Sequence, residues 1–242
     1  KLNAQITKNI RVFISGSAPL LSETHKEFES LTGHKILERY GMTETNMNTS
    51  NPYDGERRAG TVGIPLPGIN IRITDPETNV KLGSEKIGMI EIKGENIFKG
   101  YWAMEEQTKD SFTVDGYFIT GDLGKFSSDG YLSIIGRNKD LIISGGLNIY
   151  PKEIEVVIDG INYVKESAII GIPHKDFGEA VLAIVVANNE KISETTIMKV
   201  IQTKLAKFKQ PKKIIFVSEL PRNAMGKVQK QTLRNNYNKI FN

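Results

Sequence analysis

Four short runs of alternating hydrophobic and polar residues constrain the fold of this chain more than any other feature. The runs INIRITD, GMIEIKG, YFITGD and YLSIIGR all lie within residues 64–136. Period-two alternation is typical of strands with two different faces, and the Asp-Gly steps at 115–116 and 129–130 favour tight turns. We therefore predict a small antiparallel sheet or barrel over residues 64–136.

The segments on either side of this region mix strand and helix patterns. In residues 1–63, the apolar run IRVFISG precedes a helix pattern that begins at Ser22 and stops at Gly33. After residue 136, Pro151 suits the first turn of a helix, and two strand-like runs flank the turn HKDFG. The whole chain is therefore predicted to have a mixed α/β (α+β) fold.

Composition excludes several kinds of chemistry. The 242 residues contain no cysteine, which rules out disulfides, a thiol nucleophile and cysteine-bound zinc. The histidines His25, His34 and His174 are scattered without metal-ligand spacing, and Trp102 is expected to serve packing. We find no apolar run that approaches the length of a membrane span and no apolar signal core in KLNAQITKNI. We therefore expect a cytoplasmic protein.

Basic residues are concentrated near the C-terminus, in KLAKFKQPKK and GKVQKQTLRNNYNK, and the formal net charge is +4. Such a region attracts the phosphates of nucleic acid or of a nucleotide, or it forms a solvated basic face. Charge by itself leaves these alternatives open.

Four glycine-containing loops follow strand-like runs, and each has residue types that suit a nucleotide. The small residues of SGSAPL (15–20) let the backbone approach a ring or a phosphate closely. The loop RYGMTETNMNTS (39–50) combines an aromatic ring with a hydroxyl and a carboxylate, which suit a phosphate and its magnesium ion. TGD (120–122) offers a carboxylate for ribose hydroxyls, and GRNKDLIISGGLNIYPKE (136–153) forms a joint between segments. Taken singly, each can also be explained as an ordinary turn, polar loop or linker.

A fifth stretch, PRNAMGK at 221–227, raises the same question for one lysine. Pro221 and Gly226 indicate a loop, because one fixes its own φ and the other frees the backbone. Lys227 is then either one of many solvated lysines or a residue presented to a substrate.

In this order, GSAPL, YGMTE, TGD, GRNKDLIISGG and PRNAMGK resemble five core motifs of the adenylate-forming superfamily. This superfamily comprises acyl-CoA synthetases, luciferases and the adenylation domains of peptide synthetases. Within it, ERYGMTETNMNTSNPYDGERRAGTVG and ISGGLNIYPKEIE look most like malonyl-CoA synthetases. The resemblance implies that a small carboxylic acid, here malonate, reacts with ATP to give an acyl-adenylate, and that coenzyme A then takes the acyl group.

The resemblance also implies a domain organisation. Residues 1–63 would end the large α/β nucleotide-binding domain, residues 64–136 would form its β-rich subdomain, 137–140 a hinge, and 141–242 a small, mobile C-terminal α+β domain. The Ser/Thr/Gly-rich phosphate loop that family members carry before the SGSAP element does not occur in this sequence. The chain therefore looks like the C-terminal half of such an enzyme, with the N-terminal half as its missing partner.

The resemblance assigns the nucleotide site to residues from several motifs. Tyr40 would stack on adenine, Asp122 would bind the ribose hydroxyls, and Arg137 would contact ribose or phosphate. Thr43 would contact phosphate and Glu44 would hold Mg²⁺. The remaining nucleotide-binding residues would be Gly16, Ser17, Ala18 and Gly41.

Later motifs would supply the remaining machinery. Lys227 would reach the bridging oxygen and the acyl carboxylate in the first step, as a compact charge on a long stem. Lys139 would be the hinge residue, and Gly145 and Gly146 would line the tunnel for the thiol of coenzyme A, where a side chain would block the pantetheine.

Malonate has a second carboxylate, which needs a cationic partner in a largely dry pocket. Arg39 is the candidate, with Met47 and Asn48 shaping the pocket. The alternatives are that Arg39 is a structural strand residue, or that the missing half supplies another arginine.

Two further functions stay open. The enzyme could be a short- or medium-chain acyl-CoA ligase or an aryl-CoA ligase, or the chain could be a nucleotide-binding fragment that is inactive by itself without the phosphate loop. Nucleic acid is not expected as a partner, because the phosphates of ATP and CoA explain the basic residues.

Overall fold

The computed structural model describes residues 1–18, 20–188, 192–224 and 226–241. The chain divides into two compact units, Lys1–Ile135 and Gly136–Asn242. Helices and strands are interleaved in both, which confirms the predicted mixed α/β fold. No helix among the described residues is long and apolar enough to cross a membrane.

The first unit contains a mixed sheet, an antiparallel sheet and short helices. Its elements are α1 (Ala4–Thr7), β1 (Ile14–Ser15), α2 (Ser22–Thr32), β2 (Leu37–Met42), β3 (Asn46–Ser50), β4 (Ile64–Pro65), β5 (Asn70–Thr74), β6 (Gly88–Lys93), α3 (Glu105–Asp110), β7 (Phe118–Phe126) and β8 (Leu132–Arg137), which reaches the unit boundary.

The mixed sheet has the order β1-β2-β3-β4, with β1 parallel to β2 and the other pairs antiparallel. Helix α2 begins at Ser22, as predicted, and Gly33 follows its last turn with a left-handed φ of 75°. Glycine adopts this φ without the steric cost that a Cβ would add, so the chain turns back into β2.

The four alternating runs become β5, β6, β7 and β8, which form the predicted antiparallel sheet in that order. Their apolar side chains form one core around Ile73, Ile90, Ile92 and Leu132. The polar position of β6, Glu91, is also buried. It accepts hydrogen bonds from Arg72 Nε at 2.6 Å and Thr74 Oγ1 at 2.8 Å, which offset the cost of burying its charge.

The second unit is built around one sheet with helices on both faces. Its elements are β9 (Ile142–Ser144), β10 (Leu147–Ile149), α4 (Pro151–Asp159), β11 (Val164–His174), β12 (Gly178–Ala187), α5 (Glu194–Lys204), β13 (Lys213–Val217) and α6 (Lys230–Tyr237), with 3-10 turns at Asn138–Asp140 and Lys207–Lys209.

The sheet of the second unit has the order β10-β9-β12-β11, and β13 pairs parallel with β12. Alternate residues of β12 enter two different cores: Val181 and Ala183 join the core that includes α4 and α5, whereas Leu182 and Ile184 join the core that includes α6. Because both faces are buried, the strand is a continuous apolar run. The finer division at residue 63 and the hinge at 137–140 stay predictions.

Candidate active site

A cleft with a volume of about 200 Å³ lies where β1 ends beside the β2–β3 hairpin. Its lining consists of Ile14, Gly16, Ser17, Arg39, Gly41 and Met47. All of these except Ile14 are predicted site residues from two separate motifs. The parallel pairing of β1 with β2 brings the motifs together, because it places Ser15 opposite Glu38, next to Arg39.

A larger hollow of about 490 Å³ lies at the start of α3, lined by residues 103–107. These residues are all exposed and belong to one short stretch of chain, and none is a predicted site residue. We therefore place the candidate site in the smaller cleft, where several motifs meet.

Close backbone packing explains the glycine at position 41. A bulge separates Tyr40 from Gly41 in the β2–β3 pairing, and a Cβ on Gly41 would lie 2.0 Å from the carbonyl oxygen of Asn46. No side chain fits at that distance, so the hairpin itself requires glycine. At Gly16 a Cβ would meet Arg39 Cγ at 3.5 Å, an ordinary contact.

Arg39 presents its guanidinium to the cleft. Its side chain is exposed, and it forms no ion pair with any carboxylate in the described part of the chain. Its neighbour Glu38 is buried and lies 3.2 Å from Nδ1 of His25. The Glu38 carboxylate is therefore paired with His25 rather than with Arg39.

Two predicted nucleotide residues, 82 positions apart in the sequence, are in direct contact. The hydroxyl of Tyr40 donates to Oδ2 of Asp122 at 2.5 Å. Asp122 is only 4% exposed, and its N–H donates to Oγ1 of Thr120 at 3.0 Å. The contact joins β2 to β7 and fixes the ring of Tyr40 beside the carboxylate.

The tip of the β2–β3 hairpin carries the predicted phosphate and magnesium residues. Thr43 is exposed, and Glu44 is half-buried. Oε1 of Glu44 accepts a hydrogen bond from the hydroxyl of Tyr101 at 3.0 Å. Burial, followed by this bond to Glu44, raises the pKa of the Tyr101 hydroxyl, so it stays protonated as a donor.

Sequence reasoning missed Tyr101 and misjudged its neighbour. The hydrogen bond from Tyr101 to Glu44 joins residues far apart in the sequence. Nothing in the local stretch KGYW indicates that Tyr101 makes such a bond rather than packing as an ordinary aromatic residue. Trp102 was expected to serve packing, but it is 96% exposed, so that prediction is wrong. The adjacent Ala103 has a left-handed φ of 54°, in a turn that leads the chain towards α3.

The oxygen donors at the hairpin tip fit a magnesium ion that arrives with a nucleotide. Glu44 offers a carboxylate and Thr43 a hydroxyl, and Mg²⁺ typically takes one or two carboxylates beside substrate phosphates. Among the described residues there is no cluster of three or more His, Asp or Glu side chains that could hold a metal without a nucleotide.

Met47 lines the cleft, whereas Asn48 lies behind it. The Asn48 side chain is fully buried, and its amide donates to Thr45 Oγ1 at 2.8 Å. Its Oδ1 accepts from Nδ2 of Asn96 at 3.1 Å. We interpret Asn48 as a residue that holds the shape of the hairpin and through it the position of Met47.

In the second unit, the predicted hinge and tunnel residues lie on short turns. Arg137 and Lys139 are exposed. Asp140, which follows Lys139 in the chain, accepts a hydrogen bond at its Oδ1 from Nη2 of Arg234 at 2.7 Å. Gly145 and Gly146 form the two-residue turn between β9 and β10, with φ angles of 58° and 77°. Such a turn requires positive φ at both positions, which gives the glycines a structural reason.

Lys227 follows the tip of a loop closed by an antiparallel bridge between Arg222 and Val228. Its side chain is exposed, and Gly226 before it has a φ of 77°. Two of the expected motifs include residues outside the described ranges, Pro19 in GSAPL and Met225 in PRNAMGK. Ser17 and Ala18 are exposed, and Ser17 has a left-handed φ of 68°.

The chain belongs to the AMP-binding enzyme family. A family model described as AMP-binding enzyme matches residues 2–102, and one described as AMP-binding enzyme C-terminal domain matches residues 153–227. The resemblance read from the five motifs is thereby confirmed.

Several proteins similar to this chain are named as CoA ligases. The chain is 41% identical to a malonate–CoA ligase of Arabidopsis thaliana and 42% identical to a probable CoA ligase of Humulus lupulus, and in both cases the match covers 96% of the chain and 40% of the relative. It superimposes on a crystal structure of ATP-bound MatB from Rhodopseudomonas palustris with a TM-score of 0.97 at 58% identity, covering all of the chain and 48% of that protein. The chain thus spans less than half the length of these relatives.

Proposed function

We propose that the complete protein is an ATP-dependent acyl-CoA synthetase that activates malonate. The observation that carries the proposal is the guanidinium of Arg39 in the cleft of the β2–β3 hairpin, which forms no ion pair among the described residues. It is supported by the similarity to a malonate–CoA ligase and to MatB. A dicarboxylate needs a cation for the carboxylate that does not react, and guanidinium pairs with carboxylate in a bidentate geometry.

In the first step, an oxygen of one malonate carboxylate attacks the α-phosphorus of ATP, and the bond to the bridging oxygen of pyrophosphate breaks. We assign the nucleotide to Gly16, Ser17 and Gly41 at the cleft and to the adjacent Ala18, with Tyr40 against adenine, Asp122 on the ribose and Arg137 on ribose or phosphate. Positioning and charge stabilisation supply most of the catalysis in such phosphoryl chemistry.

Charge develops on phosphate oxygens in this step. Thr43 and Glu44 are proposed to hold the phosphates with Mg²⁺, which would neutralise part of their charge. Lys227 is proposed to stabilise the bridging oxygen. In the second step the sulfur of coenzyme A attacks the acyl carbon, AMP leaves, and the thiol proton passes to solvent. Gly145 and Gly146 would border the pantetheine, and Lys139 would be the hinge between the steps.

The test uses the complete protein with ATP, Mg²⁺ and CoA. Malonate is expected to outcompete acetate and long-chain fatty acids as substrate. Arg39→Ala is expected to raise the KM for malonate by roughly 10- to 100-fold, since a charge-assisted hydrogen bond is lost, while ATP binding changes little. A fatty acid as preferred substrate would exclude malonate and leave the family assignment intact.

Arg11→Ala is the matched control. It removes an exposed guanidinium of the same unit that lies over the ring of Tyr53 and does not line the cleft. It should leave the KM for malonate near the wild-type value. Equal losses of malonate and ATP affinity in Arg39→Ala would contradict the role given to Arg39.

A further inference from the structure

The loop that carries Lys227 is fixed at its backbone. Asn223 donates its N–H to the carbonyl of Lys227 at 3.0 Å, and Oδ1 of Asn223 accepts the N–H of Lys227 at 2.9 Å. Both backbone polar groups of Lys227 are therefore bonded. Its ammonium, in contrast, forms no ion pair with any carboxylate in the described ranges.

One side chain ties this loop to the sheet of the second unit. Nη1 of Arg222 donates to the carbonyl of Gly226 at 2.5 Å, and Nη2 donates to the carboxylate of Glu166 on β11. The guanidinium holds its donors in a rigid planar fork, so the two acceptors lie in a set geometry relative to each other. The residue before Lys227 is thereby anchored to β11.

The exposure of both side chains indicates that the contact between Arg222 and Glu166 contributes little to folding stability. The side chain of Arg222 is 42% exposed and that of Glu166 is 23% exposed. Ion pairs near water contribute little to folding, because water solvates both charges and long side chains lose freedom when they pair. The contact does fix the direction in which the Lys227 loop leaves the sheet. That direction determines where the ammonium of Lys227 can reach.

We propose that Arg222 is a positioning residue for Lys227, acting through Gly226 and Glu166 so that the ammonium meets the oxygen on which charge develops. The inference rests on the function proposed above. A misplacement of about 1 Å can cost on the order of 100-fold in rate. Thioester formation does not use Lys227, so it should not depend on Arg222.

The test separates the half-reactions in the complete protein. Adenylate formation is measured as malonate-dependent exchange of labelled pyrophosphate into ATP. Thioester formation is measured from supplied malonyl-adenylate and CoA. Arg222→Ala is expected to slow the exchange about tenfold, because a loop that is less well placed still visits the productive position. Thioester formation should stay at the wild-type rate.

Three further variants test the contact itself. Glu166→Ala should slow the exchange as Arg222→Ala does, and the double variant should be no slower than either, because all remove one contact. Arg222→Lys should recover only part of the rate, since one ammonium lacks the fork that spans both acceptors.

Lys165→Ala is the control, since it removes an exposed charge next to Glu166 that has no ion pair among the described residues. It should exchange at the wild-type rate, and every variant should melt near the wild-type temperature. Wild-type exchange in Arg222→Ala, or equal losses in both half-reactions, would overturn the positioning role.

Lys227→Ala distinguishes failure of the inference from failure of the proposed function. If Lys227→Ala abolishes exchange and Arg222→Ala does not slow it, only the positioning role is wrong. If Lys227→Ala leaves exchange unchanged, the catalytic role of Lys227 is wrong and the positioning role is overturned with it.

Discussion

Glu38 and Arg39 are adjacent on β2, but one charged side chain is buried and the other is exposed. Successive side chains of β2 point to opposite faces. Glu38 points into the protein, where burial raises its pKa and His25 is its partner. Arg39 is exposed and lines the cleft, where we propose that its charge binds the acid. The candidate acid-binding residue is thus chosen by strand geometry as well as by residue type.

Asp159 is a half-buried carboxyl group at the end of α4. It accepts a hydrogen bond from Ser167 at 2.7 Å, but burial outweighs this bond and raises the pKa of Asp159 to about 6. Because the folded-state pKa lies above the unfolded value, Asp159 contributes most to stability below the unfolded pKa. That contribution is lost as the pH rises through about 6.

Asp159→Asn is therefore expected to stabilise the protein at pH 8, by about 1–3 kcal/mol, because it keeps an acceptor for Ser167 and removes the buried charge. At pH 4 the advantage should disappear, since Asp159 is then protonated in the folded protein. Denaturant unfolding at the two pH values measures this difference. Glu219→Gln, at an exposed carboxylate of the same unit that has no ion pair among the described residues, should show no such dependence.

At the scale of elements, the β9–β10 turn allows two explanations for Gly146 to be tested separately, one structural and one functional. Nothing lies within 4 Å of the position that a Cβ on Gly146 would occupy. The turn therefore demands only a positive φ there, whereas the predicted CoA tunnel demands the absence of a side chain.

Gly146→Ala should lower stability by about 1 kcal/mol, the cost of a left-handed conformation for a residue with a Cβ. If the turn borders the pantetheine, thioester formation from supplied adenylate should also fall sharply, with pyrophosphate exchange unchanged. Gly130→Ala is the matched control, because Gly130 has a φ of 88° and equally open space. Equal rates of thioester formation in the two variants would contradict the proposal that Gly146 lines the CoA tunnel.

Helices and strands were predictable from the sequence where a local pattern of residues determines them. Strand alternation and Asp-Gly steps identified β5–β8, and the stop at Gly33 identified the end of α2, because turn chemistry and side-chain period are set by neighbouring residues. The burial of Glu91 beside the half-buried Arg72 was not predictable, since a charged residue in an alternating run usually faces solvent.

The same limit applies to the candidate site. Motif order identified the loops, and five of the predicted residues line one cleft. The bonds from Tyr40 to Asp122 and from Tyr101 to Glu44 join residues 82 and 57 positions apart. Such contacts depend on how strands pack, which no local pattern contains. The individual roles of the site residues stay predictions.

For the whole molecule, the cleft is small for the ligands that we propose bind there. Its volume of about 200 Å³ is below the roughly 300–1,000 Å³ of typical ligand sites. It fits one part of a nucleotide rather than the whole of ATP with malonate.

The 242-residue chain expressed alone is therefore expected to bind AMP or ATP weakly and to form no malonyl-CoA. Titration calorimetry with AMP and a thioester assay measure the two properties, with the complete protein as the reference. Turnover by the chain alone at the rate of the complete protein would show that these residues contain the whole site.

Strand β12 has a consequence for how the second unit moves. It is covered on both faces, pairs with β11 along one edge, and pairs with β13 and β9 along the other. Its amide hydrogens should be among the last in the unit to exchange with deuterium, because local fraying cannot reach them. A displacement of the second unit as a whole would therefore leave the pairing of β12 with its neighbouring strands intact.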